Sequence, residues 1–142
     1  MIQEAKKEDL EAVYSLICEL EQEKINPKHF QEVYNQGLES PHVEFYVYCH
    51  EEKVIGFISL YIHQYLHHHG NTGEIVELVV TPEYRGLRVG DRLLCHVEKI
   101  AKEKGLVELE LSTSTYRKKA HRFYEAHGYL KNHYNYTKKL EM

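Results

Sequence analysis

The stretch TPEYRGLRVGDRLL, Thr81 to Leu94, lies between a β-rich run ending at Val80 and an apolar pattern of helical period. Its centre, RGLRVG, packs two glycines and two arginines into Arg85 to Gly90. A strand that passes straight into a helix leaves the first helical N–H groups without intrahelical partners. Together with the helix dipole, they make an anion site. Glycine lets a ligand approach the backbone closely, and arginine brings charge suited to phosphate. The turn therefore reads as a diphosphate cradle, and the plain alternative is a loop with solvated arginines. It is not a Walker loop, because the glycine spacing and the Lys-Ser/Thr pair are missing. Nor is it a dinucleotide fingerprint, since its strand follows a hairpin and does not open a βαβ unit.

Working outward, VEFYVYCHEEKVIGFISLYIHQYL holds two β-rich runs parted at Glu51-Glu52-Lys53, the pattern of a hairpin. HHHGNTG connects these to a third strand, EIVELVV. Before the hairpin, Leu10, Val13, Leu16, Ile17 and Leu20 mark one helix. A second starts with Asn26 as N-cap and Pro27 at the first helical position, with Gly37 near its end. After the turn, Leu93, Leu94, Val97, Ile100 and Ala101 form a helical stripe that stops at Gly105. LVELELS alternates as a strand. RKKAHRFYEAHGY is a helix with Ala120, Phe123, Tyr124 and His127 on one face and Gly128 as its stop, and HYNYTKKL predicts a last strand. The expected order is short strand, two helices, three antiparallel strands, then helix, strand, helix, strand. No repeat or linker divides it, so the expectation is a single α+β domain over residues 1–142, with a mixed, mostly antiparallel sheet flanked by helices.

The 142 residues carry a net charge of −4, which argues against nucleic acid as a partner. No apolar run approaches the roughly 20 residues of a membrane span, and IQEAKKEDLE after Met1 is no signal peptide. Cys18, Cys49 and Cys95 lack metal-ligand spacing and fall in apolar patterns. They are expected to be buried, reduced core residues of a cytoplasmic protein.

VVTPEYRGLRVGDRLL resembles the acetyl-CoA motif of the GNAT superfamily of N-acetyltransferases, in which Gln/Arg-x-x-Gly-x-Gly/Ala follows a strand. Arg85, Gly86 and Gly90 match it, and Arg88 stands where the middle glycine belongs. AHRFYEAHGY resembles the second landmark of the family, and the element order is similar to the GNAT fold along nearly the whole chain. ICELE, HQYLHHHGNTGEIVELVV, LELST, AHRFY and HYNYTKK further resemble the aminoalkylphosphonate N-acetyltransferase branch.

The resemblance implies acetyl-CoA as cosubstrate, held by the backbone and side chains of Arg85, Gly86, Leu87, Arg88, Val89, Gly90 and Asp91. Backbone N–H groups of Leu78, Val79 and Val80 would bind the pantetheine and the thioester oxygen, as an oxyanion hole does. Acetyl transfer also needs a base for the cationic amine and an acid for the departing thiolate. Glu74 is the first candidate base and Glu77 its neighbour, with at most one serving. In a regular strand they would face opposite sides, and the β-bulge usual in this family would break that parity. Tyr124 matches the tyrosine near the coenzyme sulfur and is the candidate acid. Arg117 replaces an asparagine that touches pantetheine in many relatives, so either that contact is lost or positive charge is gained for an anionic ligand. The branch is helped by a divalent metal, and the histidines are the available ligands, with no ligand set readable from the sequence.

The expected activity is acetyl transfer to a small primary amine by direct attack, with an aminoalkylphosphonate or another anionic amine as acceptor. The alternatives are a protein or peptide N-acetyltransferase and a non-catalytic acyl-CoA-binding regulator. A homodimer, in which a partner completes the sheet beyond Gly128, is a further expectation.

Overall fold

The computed structural model describes residues 1–141, in the order β1 (Ile2–Glu4), α1 (Leu10–Glu21), α2 (Pro27–Glu39), β2 (Val43–His50), β3 (Lys53–His63), β4 (Thr72–Val80), α3 (Val89–Glu103), β5 (Leu109–Leu111) and α4 (Lys118–Ala126). Short 3-10 turns, Lys7–Asp9 and Pro82–Tyr84, precede α1 and follow β4. The five strands form one sheet in sequence order. β1 to β4 pair antiparallel. β5 is tied to β4 by Gly73 N–H to the Glu108 carbonyl and Val107 N–H to the Asn71 carbonyl, both at 2.9 Å. These two bonds ascend together along the chain, and a helical crossover through α3 is the connection that parallel neighbours require. The sheet is thus mixed and mostly antiparallel, as expected. Among the described residues, no helix is long and apolar enough to cross a membrane.

Local chemistry explains the boundaries. The Asn26 side chain accepts a hydrogen bond from His29 N–H at 2.9 Å, and Pro27 opens α2 where a missing N–H does no harm. Glu51 and Glu52 have φ of 50° and 65°, the paired left-handed conformations of a two-residue hairpin turn. Gly37 lies near the end of α2, as expected. It sits inside the helix because a Cβ there would lie 2.4 Å from Phe45 Cζ, so glycine permits the close approach of α2 to the sheet.

The chain divides into two compact units, Met1–Glu110 and Leu111 onward. In the first, Val13, Leu16 and Ile17 of α1 and Tyr34 of α2 bury against Phe45, Val47, Phe57 and Val79 on one sheet face. The other face receives α3: a Cβ at Gly56 would lie 3.1 Å from Leu93 Cδ1, and the Tyr46 and His96 rings meet at 4.5 Å. Leu93, Leu94, Val97 and Ala101 are buried as the stripe predicts.

Three expectations are corrected. Residues 130–141 contain no strand, and Leu130, Tyr134, Tyr136 and Leu140 are exposed. Alternation makes a segment suitable for a ladder but supplies no neighbouring edge. Cys95 is exposed and not buried, because it lies off the Leu93–Leu94–Val97 stripe of α3. Cys18 and Cys49 are only partly buried, and all three thiols are free.

Candidate active site

In the first unit, a cavity of about 400 Å³ opens between α1, α2 and the sheet face they cover. Its walls include Ile17 and Glu21 of α1, Phe30 and Tyr34 of α2, Tyr61 of β3 and Glu77 of β4. Aromatic packing builds much of the wall, with Phe30 stacked on Tyr34 at 5.8 Å and Tyr34 on Phe45 at 5.4 Å. Tyr34 O–H donates to the Lys6 carbonyl at 2.7 Å, which ties α2 to the segment ahead of α1. Burial, helped by Glu77 and Glu74, pushes the Tyr61 phenol up to about 12, so it stays protonated and neutral.

The strand register places both candidate carboxylates. Ile58 pairs with Leu78 but Leu60 pairs with Ile75, so Ser59 alone faces two residues, Val76 and Glu77. This is a β-bulge in β4. Outside it, Glu74 pairs with Tyr61 and Val79 with Phe57, and cross-strand partners share a face. Glu74 and Glu77 therefore both point to the α1–α2 side, which the parity of a regular strand forbids.

Their surroundings differ. Glu74 Oε1 meets His63 Nε2 at 2.8 Å, and the His63 and Glu74 side chains are 28 % and 30 % exposed. Glu77 lines the cavity, whereas Glu74 does not. Ser59 O–H donates to Glu77 Oε1, and the same hydroxyl oxygen accepts the Glu77 N–H at 2.9 Å. Burial raises the Glu77 carboxyl above the ordinary carboxylate range. The Ser59 hydrogen bond opposes this, and the charges of Glu21 and Glu74 add to it.

At the end of β4, the three backbone groups expected to bind pantetheine do not act alike. Thr81 N–H bonds to the Ile55 carbonyl at 2.9 Å, so it points at β3. By strand alternation Val79 N–H points the same way, while those of Leu78 and Val80 face the side away from β3. On that side, Arg85 Nε donates to the Val80 carbonyl at 2.9 Å, and the Arg85 guanidinium lies 3.5 Å from Glu19. Arg85 is thus engaged by the protein itself, and it joins α1 to the turn.

The turn from Arg85 to Arg88 is exposed, Val89 is buried, and α3 begins there. Gly86 has φ of 85°, and no atom lies within 4 Å of where its Cβ would be. Arg88, at the site of the family's middle glycine, has φ of 65°. The backbone keeps a glycine-like conformation there although the residue has changed. No Arg88 side-chain bond caps α3, and Gly90 and Asp91 form its first turn.

In the second unit, Ala120, Phe123, Tyr124 and His127 are the half-buried stripe of α4 and Gly128 ends it with φ of 88°. Burial raises the Tyr124 phenol, and the positive charge of Arg117 pulls it partly back. Arg117 is the N-cap residue of α4 and lies over the Tyr116 ring at 5.8 Å. Lys118, Lys119 and Arg122 are exposed.

The histidines do not form a metal centre. Among the described residues, no three His, Cys, Asp or Glu side chains come together as ligands. His63 is turned to Glu74, and the His67 and His68 rings meet at a tilt, 4.2 Å apart, beside Tyr65. The donor set does not fit a divalent ion, and no chemistry is routed through one. The residue that sequence reasoning missed is Ser59, whose only signal was a single serine within the apolar run VIGFISLYI.

A bulged strand that runs out into a glycine-arginine turn, with carboxylates on one face, defines a class. The chain matches the model of the acetyltransferase (GNAT) family over residues 10–129, and it belongs to that family. It is an acetyltransferase and not merely an acyl-CoA-binding regulator. The chain is 39 % identical to the aminoalkylphosphonate N-acetyltransferase of Salmonella typhimurium, across 98 % of this chain and 90 % of that one. Among solved structures, a transcriptional regulator from Bacillus halodurans superposes with a TM-score of 0.91 at 24 % identity, covering 99 % of both chains. The aminoglycoside N-acetyltransferase AAC(6')-Iy, solved with CoA, gives 0.88 at 19 % identity, covering all of this chain and 95 % of that one. These two structural likenesses speak to the fold alone.

Proposed function

We propose that this enzyme moves acetyl from acetyl-CoA to a small primary amine by direct attack, with Glu77 as the base. The observation that carries this is the Glu77 carboxylate in the cavity wall, raised by burial and held by Ser59. The amine arrives as a cation, and a carboxylate of raised proton affinity is the better match for its proton. Glu77 takes that proton, directly or through water, and becomes the neutral acid. The freed nitrogen attacks the thioester carbon, and the oxygen gains negative charge, which the outward N–H groups of Leu78 and Val80 are suited to stabilise. The C–S bond then breaks, the thiolate takes a proton from Tyr124, and the second proton of the attacking nitrogen passes through water to the Tyr124 phenolate, which leaves a neutral amide and the CoA thiol. Burial keeps that phenol protonated, as a donor must be. The turn from Arg85 to Asp91 and the start of α3 hold the diphosphate, and Arg117 remains a candidate contact.

An aminoalkylphosphonate is the first acceptor to test, supported by the 39 % identity over 98 % of the chain. A second reading has its own observation. No lysine or arginine lines the cavity among the described residues, whereas Glu21 and Glu77 do. That lining favours an amine with an apolar body and no anionic group. The test is CoA release from acetyl-CoA with 1-aminoethylphosphonate, 2-aminoethylphosphonate, spermidine and phenethylamine. Turnover on the phosphonates supports the first reading, and turnover on phenethylamine or spermidine alone replaces it with the second. No turnover on any amine, with acetyl-CoA still bound, would sink both.

A further inference from the structure

We infer that Ser59 is a positioning residue for the reaction: its hydroxyl, set opposite the bulge of β4, fixes the direction of the Glu77 carboxylate in the cavity. This rests on the reading of Glu77 as the base.

A serine hydroxyl has one proton to give and two lone pairs. At Ser59 both capacities are spent on one residue, since the oxygen accepts Glu77 N–H at 2.9 Å and the proton goes to Glu77 Oε1. Ser59 is fully buried on the central strand β3, so water does not compete for either bond. In a regular ladder Glu77 N–H would go to a β3 carbonyl. At the bulge the Ser59 hydroxyl accepts it instead. That bond claims a lone pair of Oε1 and none of Oε2, so Oε2 is the better acceptor for the proton of the amine. One small side chain thereby satisfies the bulge and aims the base.

Two consequences separate this role from mere support of the strand. A hydrogen bond to the charged carboxylate favours the charged form and offsets burial, which acts the other way. Ser59 thus keeps Glu77 ionised to lower pH than the site would otherwise allow. The other ionisable groups of the cavity wall, Glu21 of α1, His29 and Tyr34 of α2 and Tyr61 of β3, together with Glu74 of β4 outside it, are all left in place when Ser59 is replaced.

The test is the pH profile of kcat/KM for acetyl transfer by the full chain, using the best amine found above. In Ser59→Ala the acid limb should move to higher pH. The loss should be about tenfold or more at the foot of the limb, narrowing as pH rises. Ser59→Cys, close in size but a weak donor, should fall between alanine and wild type. Ser59→Thr should restore the wild-type limb, because it keeps the hydroxyl. Thermal melts confirm that each variant folds, and if alanine fails to fold, cysteine against threonine carries the comparison. An acid limb unmoved in both alanine and cysteine, with stability alone reduced, would overturn the inference. Glu77→Gln is measured in parallel. If it retains full turnover, the Glu77 reading falls. If it loses turnover while the serine variants keep the wild-type limb, only the Ser59 inference falls.

Discussion

The two ends of the functional stretch are built by different means. The turn from Arg85 to Gly90 owes its chemistry to neighbours in sequence: a strand ends, a glycine takes φ of 85°, and α3 begins. The bulge earlier in β4 owes its chemistry to a partner strand, because Ser59 of β3 faces both Val76 and Glu77. Backbone donors can be set by local conformation alone, since every residue except proline carries an N–H. A base must be set by burial and by a specific neighbour. The difference teaches where a single sequence speaks clearly and where it does not.

Glu77→Gln strikes hardest at the bulge. Removing a positioned general base costs about 10²- to 10⁴-fold in rate, and kcat/KM for acetyl transfer should fall by that much while the fold persists. At the turn, Gly86→Ala meets no atom within 4 Å, so its only penalty is the left-handed backbone. That strain is about 1–2 kcal/mol, and if it is relieved by distorting the turn, KM for acetyl-CoA should rise about tenfold with kcat little changed. The two variants should thus split kcat from cosubstrate KM. A Gly86 variant that lowers kcat with KM unchanged would break the contrast.

The same division sets what was legible. The helices, the hairpin and the turn follow from local signals, such as the Asn26 cap, Pro27, the α3 stripe and the stop at Gly128. The bulge was expected only through family resemblance, and the partners of the two carboxylates were not legible at all. Glu74 stood first by resemblance, but its partner is His63, eleven residues earlier on β3 and remote from any local pattern. Ser59 lies eighteen residues from Glu77 and carried no motif. The tail failed in the opposite direction. Tyr134, Tyr136 and Leu140 alternate as a strand should, yet no strand forms among residues 130–141, because periodicity describes faces and a ladder also needs an edge.

Glu74→Gln then sharpens the comparison between the carboxylates. It keeps the shape and can still accept a hydrogen bond from His63, so only charge is lost. The expected fall in kcat/KM is about threefold or less, far below the range for a positioned base. A loss as large as that of Glu77→Gln would restore Glu74 as the base and make the bulge a structural detail.

The smallest effect concerns stability. Burial raises the Glu77 carboxyl in the folded chain, so the folded state holds this proton to higher pH than the unfolded state does. Between the ordinary carboxylate value and the raised one, the native state therefore binds more protons. Its stability falls as pH rises through that window. Glutamine stays neutral throughout and can still accept the Ser59 hydrogen. Glu77→Gln should match wild type at the acid end of the window and exceed it in urea midpoint above, with the gap opening as pH climbs. A gap that is the same at every pH would mean that the substitution acts through packing and not through the buried charge. In that case the carboxylate would not be under the strain that suits it to take a proton from an amine.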